Sequence, residues 1–425
     1  MKKRIISLLS VLCLGLAMFA GCGNSTADET SSAKSETEAT NGANETTASA
    51  QTKDDAALIA EFEDGIASYI GGKPEFKESS LDTVDAAGIM KGKKICVMPY
   101  DPANMFSVNI AKNEQVILEA LGAEVIYYEG ENSAEGWTKG IEMATAEGCQ
   151  IVDLTGGADM TLIGPAIKDA EAQGTLVFDC HGADISDTFD NSYTVGADYA
   201  ASAKLQAYYA LDYAEKNLGG WKNLNMLVVE CTGLPCDITV RKGWDYIDET
   251  FGFDGGAKFQ YVTIPSTEWD AKTESEVTSA LTKDPTINFI CAYYDNQLIR
   301  VIPALKACDK TDIPVTSYNG SSNVLDYIKT GDITMDIGES TRWMALHCVD
   351  CMIRVLGNED GGDYYVPNKD GYAMYFIDAD NIDNCLNPET GQADYDHDGV
   401  EDVYTKGYTD LWGFDISKID FSSIN

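Results

Sequence analysis

The sequence predicts an α/β protein with two doubly wound parallel sheets. From residue 93 onward, short apolar or β-branched runs alternate with segments whose apolar residues recur every three to four positions. Repeated strand–helix units of this kind form parallel sheets that are covered by helices on both faces. The chain has 425 residues, more than one hydrophobic core usually serves, so two such sheets are expected.

Each predicted strand is a short apolar or β-branched run. The strands expected in the first sheet span residues 95–99, 124–128, 151–155 and 176–179. Those expected in the second sheet span residues 226–230, 259–264, 289–293, 315–318 and 334–338. Apolar stripes at helical spacing, such as Leu346, Val349, Ile353 and Leu356, predict the helices between them.

The first residues predict export and lipid anchoring. The basic start Lys2-Lys3-Arg4 precedes an apolar run that is short for a membrane span and stops at Phe19-Ala20-Gly21-Cys22. Small residues before a cysteine resemble the bacterial lipobox, whose cysteine is lipidated. We therefore expect residues 1–21 to be a lipoprotein signal peptide and Cys22 to anchor the protein outside the cytoplasm, on the bacterial cell membrane. An ordinary signal peptide with a chance cysteine is the alternative.

Two further segments precede the predicted sheets. Residues 22–54 carry the lipid anchor and are rich in Ser, Thr, Ala, Glu and Asn, a composition typical of a disordered tether. Residues 55–92 are expected to form an N-terminal helical extension. The net charge of −39 repels nucleic acid and anionic bilayers, so nucleic acid is not an expected partner and membrane contact is expected through the lipid alone.

Polar and aromatic side chains recur directly after the predicted strands, where doubly wound folds bind ligands. Each sugar hydroxyl both donates and accepts hydrogen bonds, so Asp, Asn and Arg side chains satisfy it, while a flat ring packs on the apolar face of a pyranose. Polar residues also serve turns and helix caps at such places. The candidate ligand-binding residues are Asp101, Asn104, Phe106, Asp179, Asp237, Arg241, Trp269, Asp295, Asn319 and Glu339.

Residues 93–384 resemble type 1 periplasmic binding proteins, in particular the glucose/galactose- and ribose-binding proteins of ABC transporters. The segments that carry the resemblance are Tyr100-Asp101 through Asn104-Met105-Phe106-Ser107, Trp269-Asp270, Ile313-Pro314-Val315 with Asn319-Gly320, and Asp378-Ala379-Asp380-Asn381. In that family two lobes close on a sugar and the chain crosses between them three times. The resemblance implies lobe 1 from residues 93–197 and 337–365, and lobe 2 from residues 198–336 and 366–384.

The resemblance also implies roles for individual residues. Phe106 and Trp269 resemble the two rings that sandwich the sugar. The polar contacts that it implies are Asp101 or Asn104, Asp179, Asp237, Arg241, Asn319 and Glu339. This sequence departs from the ribose-binding pattern after the fourth strand, where Cys180 replaces an arginine and His181 stands next to it. It also has Tyr294 where the family usually has an asparagine. At Asn319 this sequence has an amide where the family usually has an acid, and at Glu339 it has an acid where the family usually has an amide.

The implied function is capture of a small polar solute, expected to be a monosaccharide, for an ABC transporter permease. A ligand-binding sensor for a membrane receptor or kinase is the alternative, because lobe closure couples solute binding to either partner. An enzyme is not expected, since the sequence has no Gly-x-Ser-x-Gly, His-Glu-x-x-His or P-loop motif. Glycosidase chemistry by facing carboxylates such as Asp179 and Glu339 is the remaining enzymatic option.

The C-terminal extension, residues 385–425, contains a candidate calcium loop. Carboxylates at positions one, three, five and nine, a glycine at six and a backbone carbonyl at seven are the spacing of such a loop. The predicted ligands of a structural Ca²⁺ are Asp394, Asp396, Asp398, Val400 through its carbonyl, and Asp402. Position twelve is Thr405, so a remote acid such as Asp378, Asp380 or Asp383 would have to complete the site. A solvated acidic turn is the alternative.

The sequence leaves the cysteines open. An exported protein permits disulfides, and Cys231 and Cys236 are close enough in sequence to bridge a loop. Cys348 and Cys351 have CxxC spacing within a helical pattern but lack a second pair, so no metal site is predicted there.

Overall fold

The computed structural model describes residues 54–67, 82–183, 193–357, 374–385, 402–415, 418–422 and 424. The predicted signal peptide, Cys22 and most of the predicted tether lie outside these residues. So do Asp394, Asp396, Asp398 and Val400 of the candidate calcium loop. None of the helices in these ranges combines the length and hydrophobicity that a bilayer crossing needs.

The first sheet has five parallel strands in the order β2-β1-β3-β4-β5. They are β1 Lys94–Pro99, β2 Glu124–Tyr127, β3 Ile151–Thr155, β4 Leu176–Gly182 and β5 Thr194–Gly196. Side chains alternate between the two faces of a strand, so Ile95 and Val97 of β1 join one apolar cluster while Cys96 and Met98 join another. Both faces of this sheet are therefore buried, which explains why its strands read as continuous apolar runs.

Helices cover the two faces of the first sheet. They are α3 Met105–Ala120, α4 Ala134–Ala146, α5 Gly164–Ala172 and α11 Thr341–Gly357. α3 and α11 pack against each other on one face, and α4 and α5 pack against each other on the opposite face. We call this sheet with its four helices lobe 1.

The second sheet has six strands in the order β11-β10-β9-β8-β6-β7, of which only β11 is antiparallel to its neighbour. They are β6 Asn225–Thr232, β7 Lys258–Pro265, β8 Phe289–Ala292, β9 Val315–Asn319, β10 Met335–Gly338 and β11 Tyr375–Asp378. Its helices are α6 Tyr199–Asn217, α7 Pro235–Phe251, α8 Trp269–Lys283, α9 Asp295–Ala307 and α10 Ser322–Thr330. We call this sheet with these helices lobe 2.

The chain passes between the lobes where its elements change sheet. β5 ends at Gly196 in lobe 1, and α6 begins at Tyr199 in lobe 2. β10 ends at Gly338 in lobe 2, whereas α11 begins at Thr341 and packs on α3 in lobe 1. The chain is again in lobe 2 at β11, which pairs with β10.

The predicted α/β fold with parallel sheets is confirmed, with two strands that the sequence analysis missed. β5 has only three residues, too few to show an apolar pattern of its own, and β11 has four. Both lie at sheet edges, where pairing with a neighbouring strand rather than local sequence defines them.

Three helices were not assigned to either lobe above: α1 Asp55–Ala67, α2 Ala86–Met90 and α12 Ile382–Cys385. α1 packs on α6, and α2 packs on α11. A further helix, α13 Asp402–Leu411, also packs on α11. The C-terminal extension is thus attached to lobe 1 through buried polar contacts. In one of them, Nε1 of Trp412 donates a hydrogen bond to Oδ1 of Asp350 at 2.8 Å.

Candidate functional site

The strand order reverses once in each sheet, between β1 and β3 in lobe 1 and between β6 and β8 in lobe 2. Loops that follow such strands diverge and leave a crevice at their carboxyl ends. Here the two sets of loops meet around one small cavity. Its lining residues are Tyr100, Asn104, Phe106, Gly156 and His181 from lobe 1, and Tyr199, Leu234, Cys236, Trp269, Tyr294, Asn296 and Asn319 from lobe 2.

Four of the predicted ligand-binding residues line this cavity: Asn104, Phe106, Trp269 and Asn319. Asn104 is the N-cap of α3; its Oδ1 accepts from the Phe106 amide at 2.9 Å and its Nδ2 donates to the Tyr100 hydroxyl at 3.0 Å. The cap therefore fixes the first turn of α3, and with it the position of the Phe106 ring. Phe106 and Trp269 come from different lobes, as a pair of rings that sandwich a solute requires.

His181 lines the cavity, although the sequence analysis noted it only as a neighbour of Cys180. β4 continues past Asp179 to Gly182, with a register shift between Cys180 and Gly182. At this bulge His181 takes a φ of 62°, a conformation that non-glycine residues rarely adopt. Bulges redirect side chains, and strained backbone of this kind clusters at binding sites. The signal in the sequence was the position of His181 directly after a predicted strand.

The imidazole of His181 is held from both lobes. Its Nε2 lies 2.9 Å from Oε2 of Glu339, and its Nδ1 lies 2.8 Å from the hydroxyl of Tyr199. The Tyr199 hydroxyl also donates to the His181 carbonyl at 2.7 Å. The Phe106 ring meets the imidazole edge-to-face, with 5.0 Å between ring centroids. Predicted residue Glu339 thus lies behind the cavity wall and acts through His181, while its Oε1 is buried with no hydrogen-bond partner among the described residues.

Asp237 also lies one layer behind the cavity. Its Oδ2 accepts from the Leu234 amide at 2.7 Å, as expected of an acid at the third position of α7, and its Oδ1 accepts from the Tyr294 hydroxyl at 3.2 Å. Burial raises the pKa of Asp237 to about 7. Burial likewise raises the pKa of the neighbouring Cys236 thiol, which keeps it protonated and argues against a nucleophilic role.

The remaining four predicted contacts lie outside the cavity. Arg241 does not line this cavity: on α7 its guanidinium bonds Asp245 at 2.7 Å and Asp248 at 2.9 Å, and stacks on the Tyr261 ring. Two acids and a ring already satisfy this cation. The i, i+4 spacing from Arg241 to Asp245 was visible in the sequence and was the better guide.

Asp101, Asp179 and Asp295 are engaged or buried elsewhere. Asp101 accepts from the Ala103 amide at 2.9 Å, a turn contact. Asp295 accepts from the Ser317 hydroxyl at 2.7 Å and from a backbone amide, so it braces α9 against β9. Asp179 is buried, and burial raises its pKa well above the ordinary value. Asp101 and Asp295 thus serve the scaffold, which is the alternative role for polar residues in these loops.

The lining of the cavity contains aromatic rings, amides and no Asp, Glu, Lys or Arg among the residues that the structure describes. Gly156 packs closely against Ser107: a Cβ at position 156 would lie only 2.4 Å from the Cβ of Ser107. Such a surface stacks on an apolar face and exchanges neutral hydrogen bonds. It has no Asp, Glu, Lys or Arg side chain with which to contact an ionised solute directly.

Known proteins were compared with this chain. Residues 95–360 match the family described as periplasmic binding protein domain. A solute-binding protein of an ABC transporter from Mycobacterium smegmatis, with bound glycerol, has a TM-score of 0.60 and 16% identity, covering 71% of this chain and 99% of its own. One from Actinobacillus succinogenes 130z, with bound D-allose, has a TM-score of 0.57 and 19% identity, covering 69% and 99%.

A third solved structure, the Caulobacter myo-inositol binding protein bound to myo-inositol, has a TM-score of 0.55 and 17% identity, covering 68% of this chain and 94% of its own. At these identities the likeness shows a shared fold.

Proposed function

Because this chain belongs to the periplasmic binding protein family, we propose that it is the solute-binding component of an ABC transporter and takes a small, uncharged, polyhydroxylated solute such as a monosaccharide or cyclic polyol. The observation that carries the proposal is the cavity between the lobes, which is lined by Phe106 of lobe 1, Trp269 of lobe 2 and the amide side chains of Asn104, Asn296 and Asn319. Solved structures of the same fold hold glycerol, D-allose and myo-inositol. A binding role, without turnover, is part of the proposal.

Binding in this position couples the solute to the relative arrangement of the lobes. The lining comes from both lobes, so a solute that contacts both stabilises the arrangement in which they meet. A permease that prefers this arrangement then distinguishes loaded from empty protein. The extracytoplasmic location implied by the family suits such a partner.

Trp269→Ala is expected to weaken binding of the solute about 10- to 150-fold. Removing a ring that packs on an apolar face forfeits roughly 1.5–3 kcal/mol of burial. A thermal-shift screen over monosaccharides, polyols, sugar acids and amino sugars selects the solute, and titration calorimetry then compares affinities.

The matched control is Arg241→Ala, which removes a large side chain from lobe 2 outside the cavity and should change affinity less than threefold. Equal affinities of Trp269→Ala and the unmodified protein would contradict the proposed site. A screen in which only charged solutes stabilise the protein would contradict the proposed solute class.

We also propose that the protein is held at the membrane by lipid on Cys22, on the strength of the basic start, the apolar run and the small residues before the cysteine. Cys22→Ala is expected to move the protein from the membrane fraction to the medium or to leave the precursor unprocessed. Fractionation followed by intact mass measurement checks this. Unmodified protein that appears without lipid in the supernatant would rule it out.

We further propose a structural Ca²⁺ at Asp394, Asp396, Asp398, Val400 and Asp402. In support, α13 begins at Asp402, so a helix follows the loop, as in the helix–loop–helix arrangement of calcium sites. Chelation is expected to lower the melting temperature and speed proteolysis after residue 384. The double variant Asp396→Ala with Asp398→Ala should match the chelated protein and gain nothing from calcium. A calorimetric titration without heat at millimolar Ca²⁺ would refute this site.

A further inference from the structure

From the core of lobe 1 we infer a buried metal site, distinct from the solute cavity, that binds a thiophilic divalent cation such as Zn²⁺ through Glu114, Asp153, Cys180 and Cys348. These residues come from four elements: α3, β3, β4 and α11. One donor atom from each, two sulfurs and two carboxylate oxygens, lies within 4.8 Å of all the others. None of the four lines the cavity between the lobes.

The cluster is fully removed from water. Each of the four residues is 0% exposed, although all four can carry negative charge. Burying one ionisable group without a partner is costly, and burying several together is costlier still. A divalent cation at their centre would offset part of this cost, because it neutralises two of the four negative charges.

The surroundings of Glu114 give a second indication. Its completely buried carboxyl group lies within hydrogen-bonding reach of Asp153 and Cys180, which belong to the cluster, and no donor from elsewhere in the described part of the chain bonds its oxygens. A buried carboxyl group whose neighbours are another carboxyl group and a thiol is rare in native proteins and calls for an explanation such as an ion. By contrast, Asp153 accepts from the Cys180 amide at 3.0 Å through Oδ1, which leaves Oδ2 facing the sulfur of Cys348 at 3.6 Å.

The donor set indicates which metal is bound. Two sulfurs and two carboxylate oxygens suit tetrahedral Zn²⁺, with Zn–S near 2.3 Å and Zn–O near 2.1 Å. Ca²⁺ and Mg²⁺ require six or more oxygens and do not favour thiolates. Adjacent donors in such a tetrahedron are about 3.4–3.8 Å apart, so movements of about 1 Å or less convert the present spacing into a coordination shell. Binding displaces the thiol protons to solvent, one from each cysteine.

The position suggests a structural role. Cys348 lies on α11, the helix with which the chain returns from lobe 2, whereas Asp153 and Cys180 lie on strands of lobe 1. A metal bound to all three would fasten the returning helix to the sheet. CxxC spacing had drawn attention to Cys348 and Cys351, but Cys351 is not among the four donors.

The test uses full-length protein purified without chelator and, separately, stripped by a chelator and reloaded with Zn²⁺ alone. We expect one zinc ion per chain by plasma mass spectrometry. Loading the stripped protein with Co²⁺ should give the intense near-ultraviolet absorption of cobalt–thiolate bonds. Cys348→Ser and Glu114→Gln should each lose the zinc equivalent, and Cys348→Ser should lose the cobalt band.

The control is Cys96→Ser, which changes a cysteine that is equally buried in lobe 1 but lies in the other apolar cluster. Cys96→Ser should keep both the bound zinc and the cobalt–thiolate absorption band. Glu114→Gln, which preserves shape, covers the case in which Cys348→Ser fails to fold, as judged by circular dichroism. The inference is overturned if stripped, reduced protein takes up no Zn²⁺, if Cys348→Ser and Glu114→Gln keep their zinc, or if mass analysis finds Cys180 and Cys348 joined as a disulfide.

Discussion

Trp412→Ala is expected to lower the free energy of unfolding by about 3–5 kcal/mol, the usual cost of removing a fully buried tryptophan. Trp412 is 1% exposed and lies in the C-terminal extension, directly after α13. Its Nε1 donates to Oδ1 of Asp350 at 2.8 Å, and the other oxygen of that carboxylate accepts from Nε of Arg354 at 2.6 Å. The change therefore leaves both a cavity and a buried carboxylate with a lost donor.

The effect is measured by urea denaturation, with unfolding monitored by far-ultraviolet circular dichroism because this signal does not depend on tryptophan fluorescence. Trp412→Phe retains most of the packing but not the N–H donor, so an intermediate loss of about 1–3 kcal/mol is expected from the unsatisfied Asp350 oxygen. If the free energy of unfolding of Trp412→Ala lies within 1 kcal/mol of the value for the unmodified protein, the extension is not an integral part of lobe 1. The two variants together separate the contribution of packing from that of the hydrogen bond.

The second large effect is expected at Glu339. This residue follows β10 at the passage between the lobes, and its carboxylate holds the imidazole of His181 at 2.9 Å while both side chains are almost completely buried. Removing the carboxylate leaves the buried Nε2 of His181 without this hydrogen bond, at a cost of about 1–3 kcal/mol. Glu339→Ala should therefore lower stability and, because His181 lines the cavity, weaken solute binding as well.

Glu339→Gln keeps a hydrogen-bonding oxygen near His181 and should retain more of both stability and affinity than Glu339→Ala. Glu135→Ala, which breaks an exposed i, i+4 ion pair with Lys139, serves as a control and should change neither. Denaturation and calorimetry on the same three variants provide the readout. A Glu339→Ala protein with unchanged stability and affinity would show that the contact with His181 is dispensable.

Local sequence was sufficient for the fold because its signals are short-range. Buried parallel strands need apolar residues on both faces, and residues 95–99 and 151–155 show this without any knowledge of their neighbours. Local sequence was also sufficient to predict that Asn104, Phe106 and Trp269 lie at the site. A helix cap and an aromatic residue directly after a strand place these side chains at the carboxyl end of a sheet.

Which acids reach the cavity was decided only by tertiary structure. Asp237, Asp295 and Glu339 follow strands as Asn319 does, yet their oxygens are taken up by Tyr294, Ser317 and His181. Those partners are 22 to 158 residues away in sequence, and a one-residue bulge determines where His181 points. The same is true of Glu114, Asp153, Cys180 and Cys348, which no spacing rule connects. Sequence fixes which groups stand at a strand end, whereas long-range packing determines whether a group meets solute, scaffold or metal.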